Sequence, residues 1–277
     1  MTRQSPRRAR ATARATALAL AATLTGSPAL ADPWIPAAGD GVIKPEVRLY
    51  SADHHFPPSN FSTATTPASK LNLNQFRVSG VAGIGYNLSL EYDLRFAQAR
   101  LSHSGVSHTS TGVQDQELGL NYGLTQTKSF ADSLTFNVIF PTGSPKPAPA
   151  LGTGRWAVEP DAQFGLHQGR FTATLIAGPR VFLDGGATQL RAELDLSARA
   201  TRRLNLTGSI FYVSTIQQQH PLPPASQGEL YNLLRLGIGA RYRLTPTLSP
   251  FIEYDSDIAG KGIHAGQRII AGIAIAY

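Results

Sequence analysis

The ten residues Arg268-Ile-Ile-Ala-Gly-Ile-Ala-Ile-Ala-Tyr277 decide the fold class of this chain. Ile269, Ile273 and Ile275 occur at every-second-residue spacing, and the residues between them are mostly small. A β-strand places alternate side chains on opposite faces, so this segment has one bulky apolar face and one slender face. It stops on an aromatic residue, a pattern typical of the closing strand of a bacterial outer-membrane barrel. An ordinary sandwich strand is the alternative.

Period-two alternation recurs along the rest of the chain, for example over Leu88–Phe96 and Leu234–Tyr242. Sustained alternation of this kind indicates strands and not amphipathic helices. It predicts twelve strands, at residues 42–51, 75–86, 88–101, 115–125, 133–141, 155–166, 170–182, 188–200, 204–216, 229–243, 248–258 and 267–277. The even number favours an all-β fold, a single antiparallel transmembrane β-barrel of outer-membrane type with both termini in the periplasm.

The connections between these strands alternate in length. Every second link is short, whereas most of the others are longer and rich in Pro, Ser, Gly or His. The longer links are residues 52–74, 102–114, 142–154, 217–228 and 259–266, and 183–187 is a short exception. Short periplasmic turns and longer external loops are typical of an outer-membrane barrel, and a soluble sandwich has no reason to keep this parity.

The N-terminal 31 residues have the pattern of a secretory signal peptide. Arg3, Arg7, Arg8, Arg10 and Arg14 precede an alanine- and leucine-rich run, and an Ala-x-Ala sequence ends at Ala31. The apolar run is too short to span a bilayer as a helix. We therefore expect a cleaved leader at 1–31 and an outer-membrane β-barrel at 32–277, located in the outer membrane of a Gram-negative cell.

Charge and cysteine content exclude several other classes of function. The chain has 25 basic and 18 acidic residues, but five of the basic ones lie in the leader. The mature chain keeps 20 basic against 18 acidic residues, a net charge of +2, so its basicity is no evidence for nucleic-acid binding. The sequence contains no cysteine, which rules out disulfides and zinc–thiolate sites. We expect no cofactor.

Charged residues fall on the face opposite the bulky apolar one. If the apolar face meets lipid, arginine and carboxylate side chains line the lumen and can pair across strands. The lumen-lining residues predicted to matter for transport are Arg95, Arg191, Arg235, Arg241, Glu91, Asp93, Glu193 and Asp195. The Glu91–Asp93 and Glu193–Asp195 pairs each have an arginine nearby, which favours salt bridges over acid–base chemistry.

Three Gly- and Pro-rich segments carry a resemblance to a known family. They are Asp32-Pro-Trp-Ile-Pro-Ala-Ala-Gly-Asp-Gly41, Phe140-Pro-Thr-Gly143 with Gly152-Thr-Gly-Arg-Trp156, and Gly237-Ile-Gly-Ala-Arg-Tyr-Arg-Leu-Thr-Pro246. In these segments the chain resembles a family of outer-membrane barrels associated with transport in the meta-pathway of phenol degradation. The resemblance implies a porin-like β-barrel that passes small molecules, aromatic ones among them. It implies no particular functional residues.

Histidines and serines in the predicted loops offer two other kinds of site. His54 and His55 beside Asp53, with His103 and His108 in the next loop, could form a metal site of imidazole and carboxylate ligands; solvated loop histidines are the simpler interpretation. Ser102-His103 and Ser107-His108 are the close Ser/His pairings that a membrane hydrolase would need. No partner in the barrel wall completes either pairing, so we expect neither a metal site nor an enzyme.

The sequence thus predicts a channel that passes small molecules through a charge-lined lumen. An adhesin or structural barrel with binding loops is the second hypothesis, because a barrel of this size can be filled by its own side chains. The expected partners are outer-membrane lipid and lipopolysaccharide, the barrel-assembly machinery and a small-molecule solute, with no nucleic acid.

Overall fold

A computed structural model describes residues 33–183, 186–217 and 230–277. Within them the chain forms thirteen β-strands. Their bounds are β1 (Gly41–His55), β2 (Thr66–Gly85), β3 (Leu88–His103), β4 (Val106–Val113), β5 (Gln116–Gln126), β6 (Phe130–Phe140), β7 (Ala157–Gln168), β8 (Phe171–Phe182), β9 (Thr188–Arg199), β10 (Leu204–Gln217), β11 (Asn232–Tyr242), β12 (Leu248–Lys261) and β13 (His264–Ala276). Among these residues, none belongs to a helix long and apolar enough to cross a membrane.

The strands form one closed antiparallel barrel with twelve positions. Strands adjacent in sequence pair with each other except β4 and β5, and β1 closes the ring by pairing with β13 from Val42↔Ala276 onward. β4 and β5 share one position, because β5 pairs with Leu88–Asp93 of β3 and β4 pairs with Phe96–His103 of the same strand. The predicted all-β barrel of about twelve strands is therefore confirmed.

Strand bounds differ from the prediction mainly at the end of the barrel opposite the termini, which we call the loop end. β2 begins at Thr66 and not at residue 75, and residues 106–113 form β4 where a loop was predicted. These stretches are rich in Ser, Thr, Asn and His, so they carry no apolar alternation, yet their backbones pair in long hairpins. The predicted leader at 1–31, His220 and nearly all of loop 217–228 lie outside the described residues.

Apolar side chains cover the outside of the barrel, and polar ones fill the inside. Leu49, Leu94, Leu134 and Ile273 are exposed on the outer surface, as are most other large aliphatic residues of the strands. Fully buried side chains include Asn121 and Gln163 and several serines. A soluble sandwich buries its leucines between two sheets, so this arrangement excludes that alternative.

The wall is irregular between β4 and β5. The backbone N–H of Arg95 on β3 donates to Oε1 of Gln116 at 2.8 Å, and Nε2 of Gln116 donates to the Arg95 carbonyl at 2.9 Å. The Gln116 side chain thus supplies the hydrogen bonds that a neighbouring backbone would supply in a continuous ladder. Unpaired backbone groups are costly away from water, and the amide side chain satisfies them where the strand is interrupted.

Candidate functional site: the barrel lumen

A cavity of about 590 Å³ runs along the inside of the barrel. Leu71, Leu73 and Ile263 line it towards the loop end, and Thr172 and Phe251 line it towards the end that holds the termini, the terminus end. All eight residues predicted to line the lumen border this cavity: Arg95, Arg191, Arg235, Arg241, Glu91, Asp93, Glu193 and Asp195. The volume is within the range of small-molecule pockets.

Charged side chains on β1, β2 and β3 are joined in a chain of ion pairs. Nε of Arg48 donates to Glu46 at 2.5 Å, and Nη1 of Arg77 donates to the same Glu46 oxygen at 3.4 Å. Arg77 also binds Asp93 through two parallel hydrogen bonds of 2.6 Å each, from Nε and Nη2. Arg95 donates to Asp93 from Nε at 2.8 Å. Bidentate pairs of this kind fix side-chain orientation as well as supplying energy.

The chain of ion pairs continues across the next strands. Nη2 of Arg95 lies 3.3 Å from Glu117, and Nη2 of Arg180 lies 3.2 Å from the same carboxylate oxygen. Arg180 also donates to Glu159, and Nη1 of Arg191 lies 3.0 Å from Glu159. The chain therefore runs from β1 to β9 with an arginine at each end, Arg48 and Arg191.

Two further ion pairs among the described residues lie on the remaining arc of the lumen. Arg235 on β11 donates to Asp257 at 2.7 Å, and the Tyr50 hydroxyl donates to the same carboxylate at 3.1 Å. Arg268 on β13 donates to Asp255 at 2.8 Å. Together these arginines encircle the lumen, and we call them the arginine ring: Arg48, Arg77, Arg95, Arg180, Arg191, Arg235 and Arg268.

Phe211 is an aromatic residue that lies beside the arginine ring. The guanidinium carbon of Arg191 lies 5.3 Å from the centre of its ring, and that of Arg235 lies 6.0 Å from it. Both distances are within the range of cation–π attraction. Phe211 also packs against the apolar cluster of Phe56, Val213 and Leu233. It therefore joins the arginine ring to an apolar surface.

Apolar side chains occupy the loop-end side of the ring, where Leu71, Leu73 and Ile263 border the cavity. Buried apolar clusters pack on the same side. Besides the cluster next to Phe211, one consists of Ile139, Ala157, Phe182 and Ala187, and another of Ala97, Ala99 and Leu151 with Leu73 beside them. We call this region the apolar chamber. The alternation rule did not predict it, because it depends on residues near strand ends and on a loop that folds inward.

Carboxylates predominate on the terminus-end side of the ring. Glu193 and Asp195 on β9 and Glu253 on β12 border the cavity there, together with Lys44 and Arg241. We call these five residues the lower tier. In the part of the chain that the structure describes, the three carboxylates take part in no ion pair. Arg191, whose neighbourhood suggested a bridge to Glu193 or Asp195, contacts Glu159 instead.

Asp115 organises the long loop between β6 and β7. Its carboxylate accepts hydrogen bonds from the backbone N–H of Gly143 at 3.0 Å and from the N–H and hydroxyl of Thr153 at 2.8 and 2.9 Å. A Cβ on Gly143 would lie 2.8 Å from the Cα of Gly152, so only glycines allow this close approach. The clamp directs Leu151 into the apolar chamber. This contact explains the Phe-Pro-Thr-Gly and Gly-Thr-Gly motifs, whose partner could not be read from the sequence.

The segment before β1 crosses the mouth of the barrel at the terminus end. Nε1 of Trp34 donates to the Thr127 carbonyl at 2.8 Å, and the Ile35 N–H donates to Oε1 of Gln126 at 3.0 Å. These contacts lie at the C-terminal end of β5, whereas the same segment enters β1 at Gly41. Residues 33–40 therefore lie over the opening and narrow it.

The histidines and serines do not assemble into a reactive site in the described residues. Nδ1 of His54 lies 2.7 Å from Asp53. His103 contacts Ser69 at 2.9 Å, and the Ser102 and Ser107 hydroxyls bond to each other at 2.8 Å. Within residues 33–183, 186–217 and 230–277, no group of three or more potential ligands could hold a metal ion.

The fold and its inside-out polarity define a transmembrane barrel of the outer-membrane type. The chain belongs to the family described as "Putative MetA-pathway of phenol degradation", which matches residues 61–267. This match confirms the resemblance found in the sequence. No protein of curated function matches the chain.

Solved structures with the same fold are outer-membrane barrels. An outer membrane channel from Pseudomonas putida F1 is similar with a TM-score of 0.72 and 17% identity, over 91% of this chain and all of that one. The NanC porin has a TM-score of 0.55 and 9% identity, over 84% of this chain and 98% of its own. The translocator domain of autotransporter NalP from Neisseria meningitidis has a TM-score of 0.54 and 12% identity, over 96% and 94% of the two chains.

Proposed function

We propose that the protein is a channel of the Gram-negative outer membrane that carries small molecules through the barrel lumen. The observation that carries the proposal is the cavity of about 590 Å³ that extends from the apolar chamber, through the arginine ring, to the lower tier. A barrel with a purely structural interior has no need for such a space. The apolar outer surface fits a surrounding of lipid and lipopolysaccharide, into which the barrel-assembly machinery would insert it.

The lumen lining supports selection by size and local chemistry more than by overall charge. Among the described residues, ten carboxylates and nine Lys or Arg side chains border the cavity, so the two signs nearly balance. Most of the arginines are already engaged by carboxylates. The eight lumen-lining residues predicted from the sequence contribute to this selection by holding the width of the passage.

Planar-bilayer recording of the refolded chain without residues 1–31 tests the proposal. We expect discrete conductance steps with weak ion selectivity, seen as a small reversal potential across a salt gradient. Deleting residues 33–38 should raise the step size, because these residues lie over the terminus-end opening. Protein that is folded, as judged by heat-modifiable migration on a gel, but never conducts would leave a binding or structural barrel as the function.

A further inference from the structure

The arginine ring has more hydrogen-bond donors than its carboxylates use. It contains seven guanidinium groups, whose ion-pair partners are Glu46, Asp93, Glu117, Glu159, Asp255 and Asp257. The ring therefore holds one arginine more than its carboxylates. Each guanidinium carries five N–H groups in a fixed planar arrangement. The cavity lining as a whole is nearly neutral, so attraction for an anion is local to the arginines whose N–H groups are not all engaged.

Two arginines of the ring that have unused donors lie beside Phe211. Arg235 uses only Nε in its bond to Asp257, and Arg191 uses only Nη1 in its bond to Glu159. Within the described residues their other nitrogens have no hydrogen-bond partner, and both side chains border the cavity. The two guanidinium groups lie beside the same aromatic ring. A carboxylate is the group whose geometry matches parallel N–H donors of arginine.

The surroundings of Arg191 and Arg235 differ on their two sides, and this difference would fix the orientation of a bound molecule. Towards the loop end, Phe211 is continuous with the apolar cluster of Phe56, Val213 and Leu233. Towards the terminus end lies the lower tier, in which three carboxylates outnumber Lys44 and Arg241, so that its net charge disfavours an anion. A ligand with an apolar body and one anionic group is therefore oriented with its body in the apolar chamber and its charge at the ring.

We infer that Arg191 and Arg235, on either side of Phe211, form a binding site for amphipathic organic carboxylates that enter from the loop end. The inference rests on the proposed function, since it takes this ligand as the solute of the channel. Binding comes from charge-assisted hydrogen bonds in a site partly shielded from water, together with burial of the apolar body. A neutral molecule of the same shape gains only the second contribution.

Calorimetric titration of the detergent-solubilised barrel with three matched probes tests the site. Benzoate carries the carboxylate, benzamide is its neutral analogue, and benzylammonium carries the opposite charge. We expect benzoate to bind at least tenfold more tightly than benzamide, and benzylammonium to be the weakest of the three. Equal affinity for benzoate and benzamide would mean that the apolar chamber alone binds, and the inference would be wrong. The inference would also be wrong if benzoate did not bind at all.

Two variants of the site keep the test independent of folding. Arg191→Gln leaves Glu159 paired with Arg180, and Arg235→Lys keeps a positive charge beside Asp257. Each should weaken benzoate binding by about tenfold and leave benzamide unchanged. Arg170→Gln in the exposed turn after β7 is the matched control and should bind benzoate like the unmodified chain.

Bilayer recording separates this inference from the proposed function. Benzoate should block the ion current at lower concentration from the loop-end side than from the terminus-end side, because the lower tier repels it on the second route. A conducting barrel that binds no benzoate would refute the carboxylate site and leave the channel function intact. A barrel that binds benzoate through the two arginines but never conducts would refute the channel function alone.

Discussion

Leu236 lies in the middle of β11, and its side chain is 41% exposed on the outer face of the barrel. Leu236→Arg places a guanidinium in the hydrocarbon near the centre of the bilayer, at an expected cost of about 2–4 kcal/mol in the free energy of unfolding. That cost lowers the folding equilibrium constant by about 30- to 700-fold. Leu244, just beyond the end of β11, is 54% exposed. Leu244→Arg lies near the interface and should cost about 0–1 kcal/mol.

Reversible denaturant unfolding of the three proteins in lipid vesicles measures both costs. The midpoint should fall strongly for Leu236→Arg and little for Leu244→Arg, with the same denaturant slope in each case. Equal midpoints for the two variants, or a lower midpoint for Leu244→Arg, would refute the placement of the β11 centre in the bilayer core. Normal assembly of Leu236→Arg with unchanged stability would refute the outward orientation of this side chain.

Three other substitutions test contacts inside the barrel. Asp115→Ala should accelerate hydrogen exchange of the amides in the long loop after β6 while the strands keep their protection. The reason is that three hydrogen bonds, of about 1–3 kcal/mol each, depend on the Asp115 carboxylate. Unchanged exchange in the loop would show that Asp115 does not hold it. Gly165→Val should displace Trp34, since a Cβ at residue 165 would lie 2.3 Å from the indole. In a Trp156→Phe background, the fluorescence emission of Trp34 should shift to longer wavelength, and an unchanged emission maximum would contradict this contact. Arg77→Met should lower the free energy of unfolding by about 3 kcal/mol, because it removes the bidentate partner of Asp93. An unchanged midpoint in chemical denaturation would show that the Arg77–Asp93 pair contributes no stability.

Alternation and loop parity were sufficient to predict the barrel, because each strand must bury one face in lipid and turn the other to the lumen. The terminal strand shows why this works. Ile269, Ile273 and Ile275 are exposed, whereas Ile270 is 2% exposed inside the barrel. The same rule found the charged lining, since charge is excluded from the outer face.

Pairing inside the lumen could not be predicted from spacing along one strand. Arg191 reaches Glu159 on β7 and not the carboxylates two and four residues away on its own strand. The reach of an arginine side chain spans neighbouring strands, so the partner depends on register and strand tilt. Register also decides what removing such a charge costs: Arg235→Leu would destabilise the barrel, because Asp257 is 1% exposed and would lose its only basic partner among the described residues.

The pairing of β1 with β13 joins the first and last strands and closes the barrel. Gly41 and Tyr277 exchange backbone hydrogen bonds of 3.0 and 3.1 Å, so the earliest and latest strands of the cylinder are held together. Until β13 arrives, β1 has an open edge, which is an aggregation hazard in water and intolerable in lipid. The ring therefore closes only when β13 pairs with β1, and without β13 both β1 and β12 would keep an unpaired edge.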